Sequence, residues 1–166
     1  RELPIPPSVH AAVTRRVGSS STSTRRLLEA ASLTGDDFRL ELINGATALG
    51  EWEAVAALEA ALRARIVRRH AETSGLYRFE HDLFAQVIAA SLSPERAALM
   101  HRALGSKLAQ GEADPARIAE HFERGGDITS AQRRRAASSA SRRWRCAVSD
   151  MIEQSQRLLA LAPPSA

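Results

Sequence analysis

Residues 66–79 read Ile-Val-Arg-Arg-His-Ala-Glu-Thr-Ser-Gly-Leu-Tyr-Arg-Phe, and this stretch decides the fold. Ile66-Val67 is a β-branched pair, while Leu76-Tyr77-Arg78-Phe79 alternates ring and non-ring positions. The polar, glycine-bearing segment 71–75 lies between them. Two short runs of strand-forming residues around such a turn predict a β-hairpin. No other segment carries a comparable strand signal, so this hairpin is expected to be the only β-structure in the chain.

Upstream, the pattern is helical. A first helix is expected from about Ser8 to Val17, stopped by Gly18 and the Ser/Thr tract 19–24. Ser21 is placed to cap a second helix, whose apolar face is Leu27, Leu28, Ala31 and Leu33. Thr34-Gly35-Asp36-Asp37 breaks that pattern. Phe38, Leu40, Leu42 and Ile43 predict a short helix or extended turn that stops at Asn44-Gly45. A stronger helix begins near Glu51, with Val55, Leu58 and Leu62 on one face.

Downstream, helices follow one another. His81 to Leu92 repeats apolar residues at Leu83, Phe84, Val87, Ile88 and Leu92. Ser93-Pro94-Glu95 is a strong start signal, with a Ser cap, Pro at the first helical position and an acid in the first turn. Asp114-Pro115 repeats it, and Gly125-Gly126 closes the short helix between. From Asp127 to about Leu161 the pattern predicts two more helices, breaking near 145–149.

The expected fold is therefore mainly α: a winged helix-turn-helix with one small β-hairpin, followed by antiparallel helical-repeat hairpins. Its expected organisation is a linker over 1–7, where Pro4, Pro6 and Pro7 favour extended chain, a winged-helix domain over 8–92, and over 93–166 a helical bundle or the start of tetratricopeptide-like repeats.

Composition narrows the class. Of 166 residues 44% are hydrophobic but only 4% aromatic, so the core must rest on aliphatic side chains and alanine. Nothing approaches the ~18 continuous apolar residues of a membrane span. The single Cys146 excludes an internal disulfide, and no signal peptide precedes the first helix, so a reducing, cytoplasmic setting is expected. The chain starts at Arg1 without Met, which predicts a piece of a larger protein. The net charge of +4 raises nucleic acid or an acidic partner as candidates.

The motifs along the chain carry a resemblance. Ile5-Pro6-Pro7-Ser8-Val9, Arg26-Leu27-Leu28-Glu29-Ala30-Ala31, the Gly35 to Phe38 turn, Tyr77-Arg78-Phe79-Glu80-His81-Asp82-Leu83, Ala90-Ser91-Leu92-Ser93-Pro94-Glu95-Arg96, His101, and Ala119-Glu120-His121-Phe122-Glu123-Arg124 occur in order. Together, from Ile5 to about Leu161, they resemble the segment after the nucleotide-binding domain in signal-transduction ATPases with numerous domains. That family includes bacterial LuxR-type regulators and adenylate-cyclase-linked proteins. The resemblance implies a non-catalytic regulatory and interaction module in transcriptional regulation or signalling. Its partners would be an upstream ATPase domain and downstream repeats of the same chain, with a separate protein partner open. The Ser/Thr run 19–24 and the arginines after 132 depart from the family's pattern.

His81-Asp82-Leu83 resembles the His-Asp-Leu that follows the wing in related plant immune receptors. The resemblance implies that His81 contacts an ADP phosphate supplied by the upstream domain, with Asp82 supporting the turn. An imidazole at a helix start suits that chemistry, because it donates to a phosphate oxygen with the helix dipole behind it. The plain alternative is a helix-cap histidine packed under the wing. No Gly-x-x-x-x-Gly-Lys-Ser/Thr loop is present, so no cofactor is expected in this segment itself, and ATP or ADP belongs to the intact protein. No nucleophile–base constellation can be argued, so no enzyme activity is expected.

The second reading is a DNA-binding winged helix, gripping phosphates through Arg68 and Arg69 beside the wing and through Arg133, Arg134, Arg135, Arg142, Arg143 and Arg145. The recognition helix would be the one from Glu51, and its first turns carry Glu51, Glu53 and Glu59, which repel phosphate. DNA is disfavoured on that ground. The arginine cluster is read either as a solvated face or as a contact for an acidic partner. His101 and His121 are expected to be interhelical packing residues, and no metal-ligand spacing is present.

Overall fold

The structure is a computed structural model that describes residues 7–35, 37–139, 148–149 and 151–152. Among them are α1 (Pro7–Gly18), α2 (Thr22–Ser32), β1 (Asp37–Arg39), α3 (Leu40–Thr47) and α4 (Glu51–Arg63). They are followed by β2 (Val67–Arg69), β3 (Leu76–Phe79), α5 (Asp82–Ala90), α6 (Pro94–Leu108), α7 (Pro115–Arg124) and α8 over 128–139. The protein is mainly helical with one small antiparallel sheet. No described helix is long and apolar enough to cross a membrane.

Local chemistry sets the helix starts. The Ser21 hydroxyl accepts from the Thr24 N–H at 3.1 Å, and the Ser93 hydroxyl from the Arg96 N–H at 3.3 Å. The Asp114 carboxylate takes the Ala116 N–H at 3.0 Å. Each satisfies a donor that the first helical turn leaves without an internal partner.

The sheet has three strands, in the order β1-β3-β2, all antiparallel. The hairpin of β2 and β3 lies where the sequence puts it. The expectation that it is the only β-structure fails: residues 37–39 form a third strand on the other edge of β3. Phe38 faces Tyr77 across the ladder, and the Asp37 carboxylate receives the Arg78 Nε–H at 2.8 Å. Both partners lie about forty residues away, so local pattern could not reveal them.

A second correction concerns Asn44-Gly45, which the sequence reads as a stop. The helix runs through both residues to Thr47 and ends at Ala48, in the left-handed conformation with φ +53°. Buried Ile43 and Thr47, one turn apart, hold α3 in place. Gly45 serves a close approach instead: a Cβ there would lie 2.9 Å from the Lys107 stem, which α6 lays across this turn.

The main core joins α1 to α6, with Leu27 and Leu28 of α2, Phe38, Ile43, Ile66, Val67, Phe84 and Leu104 among its members. Arg96 of α6 reaches Glu29 of α2 at 2.6 Å. A smaller cluster of Ile118, Phe122 and Ala131 ties α7 to α8.

Helices α6 and α7 run antiparallel, with Gly105 against His121 and Phe122, and Gly125 against Arg102 and Ala98. At Gly125 a Cβ would sit 2.6 Å from Arg102 Cγ, 3.0 Å from its backbone nitrogen and 3.2 Å from the Ala98 carbonyl oxygen. Backbone atoms of a packed helix cannot step aside. Gly125→Ala is therefore expected to cost about 1–3 kcal/mol, as overpacking does. Gly111, whose nearest neighbour is 3.9 Å away, is the control. Equal urea midpoints for the two alanine variants would contradict the close-approach account.

Candidate functional site

His81 is the N-cap residue of α5, with extended backbone at φ −140°, ψ 141°. Its side chain makes no capping hydrogen bond. The imidazole is exposed and stacks on Phe84, with ring centroids 6.4 Å apart and planes inclined by 13°. The ring is thus oriented from below by an aromatic face and open above. Asp82, also exposed, opens the first turn of α5 and lines a cleft of about 500 Å³ with Ser32, Phe79, Gln86 and Arg124.

The basic candidates are spread over the molecule. Arg68 and Arg69 are exposed on edge strand β2, opposite Arg78 and Tyr77 of β3. Arg133 is exposed and Arg134 half-buried on α8. Arg135 is already engaged: Nε and Nη2 both donate to the Glu123 carboxylate at 2.6 Å. That bidentate bond holds the Glu123 carboxyl below its ordinary pKa. Arg135 therefore fastens α8 to α7. Arg142, Arg143 and Arg145 lie outside the described residues, as do Trp144 and Cys146.

The outward face of α4 carries Glu51, Glu53 and Glu59, all exposed, together with Trp52, which is 87% exposed. Glu53 accepts a hydrogen bond from the Ser23 hydroxyl of α2.

The sequence marks His101 and His121 only as packing residues. Both are 5% exposed, and their Nδ1 atoms lie 3.0 Å apart, with ring centroids at 5.1 Å. At that distance one ring's N–H donates to the other's lone pair. Burial is the main reason that His121 titrates low, at about 4, assisted by His101, Arg117 and Arg124. His101 is lowered by burial and then by Arg124, with Glu120 opposing. Both rings are neutral at pH 7. Twenty residues separate the two histidines, so no local spacing announces the pair. Among the described residues no group of three or more His, Cys, Asp or Glu is placed to hold a metal.

Comparison with known proteins adds no relative: no family model, curated protein or solved structure matches this chain.

Proposed function

We propose that this chain is a winged-helix arm with the start of a helical-repeat array, a non-catalytic module that couples nucleotide state to output in a larger signal-transduction ATPase. The observation that carries the reading is the topology. The order α2-β1-α3-α4-β2-β3, with the last strand central in a β1-β3-β2 sheet, supports a winged helix-turn-helix reading. The strand that the sequence misses strengthens the reading, because a winged helix needs it. The antiparallel α6–α7 hairpin, with α8 packed behind it, is the geometry from which helical repeats are built.

Within that arm His81 is the nucleotide-facing residue. Its exposed ring, free of any cap bond, stands at the start of α5, where an anion meets both an imidazole donor and the helix's positive end. The phosphate comes from ADP on the upstream ATPase domain, and Asp82 shares the same turn. DNA reading by α4 has less support, since its outward face offers three carboxylates and a tryptophan where phosphates would approach. The exposed Trp52 instead suits contact with another protein surface.

The test is His81→Ala in the intact protein. A charge-assisted hydrogen bond contributes about 1.5–3 kcal/mol, so ADP should dissociate roughly 10- to 150-fold faster and basal output should rise. Unchanged ADP dissociation would remove His81 from the switch.

A further inference from the structure

We propose that the cleft at the buried His101–His121 pair is a binding site for a small oxyanion of the phosphate class. It lies between α6, α7 and the Thr34–Gly35 turn, adjoins the Asp82 cleft through Gly35 and Arg124, and has a volume of about 220 Å³. That is below the usual range for a drug-sized ligand and suits a tetrahedral anion with its hydration water.

The lining explains the preference for negative charge. Arg117 and Arg124 both border the cleft, and guanidinium groups stay charged at all relevant pH. Arg117 is held in place by its Nη2 bond to the Thr34 carbonyl at 2.9 Å, which uses one of its five donors. Glu120 is the one carboxylate in the lining, and it is paired with Arg124 at 2.7 Å. One positive charge thus remains uncompensated beside two imidazoles.

The imidazoles add one donor. In the pair one Nδ1–H donates to the other Nδ1, so with both rings neutral one Nε2 carries a hydrogen and the other a lone pair. Burial, and after it the nearby guanidinium charge, disfavours a proton on either ring, and that same charge disfavours a bound cation. An oxyanion offers an acceptor to the one Nε2–H and a countercharge to Arg117, whose charge no carboxylate in the lining meets. The bound group is either free phosphate or the phosphoryl end of a larger molecule whose remainder stays outside.

The test is an NMR titration of the full chain, following the ring signals of His101 and His121. Sodium phosphate should shift both signals saturably with a Kd of about 1 mM or tighter, while chloride at matched ionic strength should not. Adenosine monophosphate forms the second arm. An equal or tighter Kd identifies the phosphoryl end of a larger ligand, and a much weaker one identifies the free anion. Arg117→Gln and Arg124→Gln should each weaken binding at least tenfold while the helical circular dichroism is retained. Arg124→Gln keeps the test sound if loss of the Arg117–Thr34 bond disturbs the turn. Failure of phosphate and of adenosine monophosphate to saturate either signal overturns the site. Saturation unaffected by both arginine substitutions also overturns it. None of these outcomes depends on His81, so the result is separate from the fate of the ATPase reading.

Discussion

Phe38→Ala is expected to remove about 3–5 kcal/mol of folding stability, as truncation of a buried phenylalanine does. For a domain whose whole stability is roughly 5–15 kcal/mol, that is a large share. Phe38 is 1% exposed, and its ring packs against Tyr77 at 6.0 Å and Phe79 at 6.1 Å. In a chain with so few aromatic residues, this trio anchors the sheet to the main core. Strand β1 has only three residues, and the Phe38 ring is what it contributes to that core. The Asp37–Arg78 ion pair beside it is about one third exposed on each side, so it is worth at most about 1 kcal/mol. Asp37→Asn should therefore leave the urea midpoint nearly unchanged, while Phe38→Ala lowers it steeply. If Phe38→Ala does not fold, Phe38→Leu should fold with a loss of about 1–2 kcal/mol. Equal midpoints for the alanine variant and the parent chain would show that β1 is an ornament on the hairpin and not part of the core.

The same strand shows where a sequence stops being legible. The starts of α2, α6 and α7 can be read directly, because a cap is a bond between a side chain and a backbone N–H two or three residues on. The hairpin is legible for a similar reason, since both strands and their turn lie within fourteen residues. Strand β1 and the continuation of α3 through Asn44-Gly45 are not. The first depends on Tyr77 and Arg78, the second on the burial of Ile43 and Thr47 where α3 packs on α6, and in both cases the deciding partners are distant in sequence. The candidate site residues divide along the same line. His81 is marked by the resemblance carried by His81-Asp82-Leu83, and it lies exposed at the start of α5. The histidine pair is assembled by the close approach of α6 and α7, which depends on Gly105 and Gly125 lacking side chains. Arg135 looks like one member of a basic cluster until α7 brings Glu123 to it. Charge counts show how much charge there is, and only the packing shows what it meets.

That pair also makes the fold sensitive to mild acid. In an unfolded chain both histidines titrate near 6.5. In the folded protein burial, and after it His101, Arg117 and Arg124, lower His121 to about 4, with Glu120 the one carboxylate facing the cleft from α7. His101, on α6, is shifted in the same direction. Between those values the unfolded chain binds more protons than the folded one, so stability must fall as pH falls. The neutral pair's contribution is complete above pH 6.5, declines below it, and is lost once pH passes the folded value. For His121 the linkage amounts to about 2 kcal/mol by pH 5 and about 3 kcal/mol at the acid limit. Glu123 and Asp127 are also held below their ordinary values, the first by Arg135 and the second by the Ser130 N–H. Their contribution is present above the ordinary carboxylate pKa and is lost only in stronger acid, so the interval from pH 6.5 to 5 belongs to the histidines. Urea midpoints measured at pH 7, 6 and 5 should fall progressively in the parent chain. In the double variant His101→Leu/His121→Leu both polar partners go together, which avoids leaving one buried and unpaired, and the midpoints should stay level across that interval. The same decline in the double variant would mean that the acid sensitivity lies elsewhere and that the α6–α7 seam tolerates a charged imidazole.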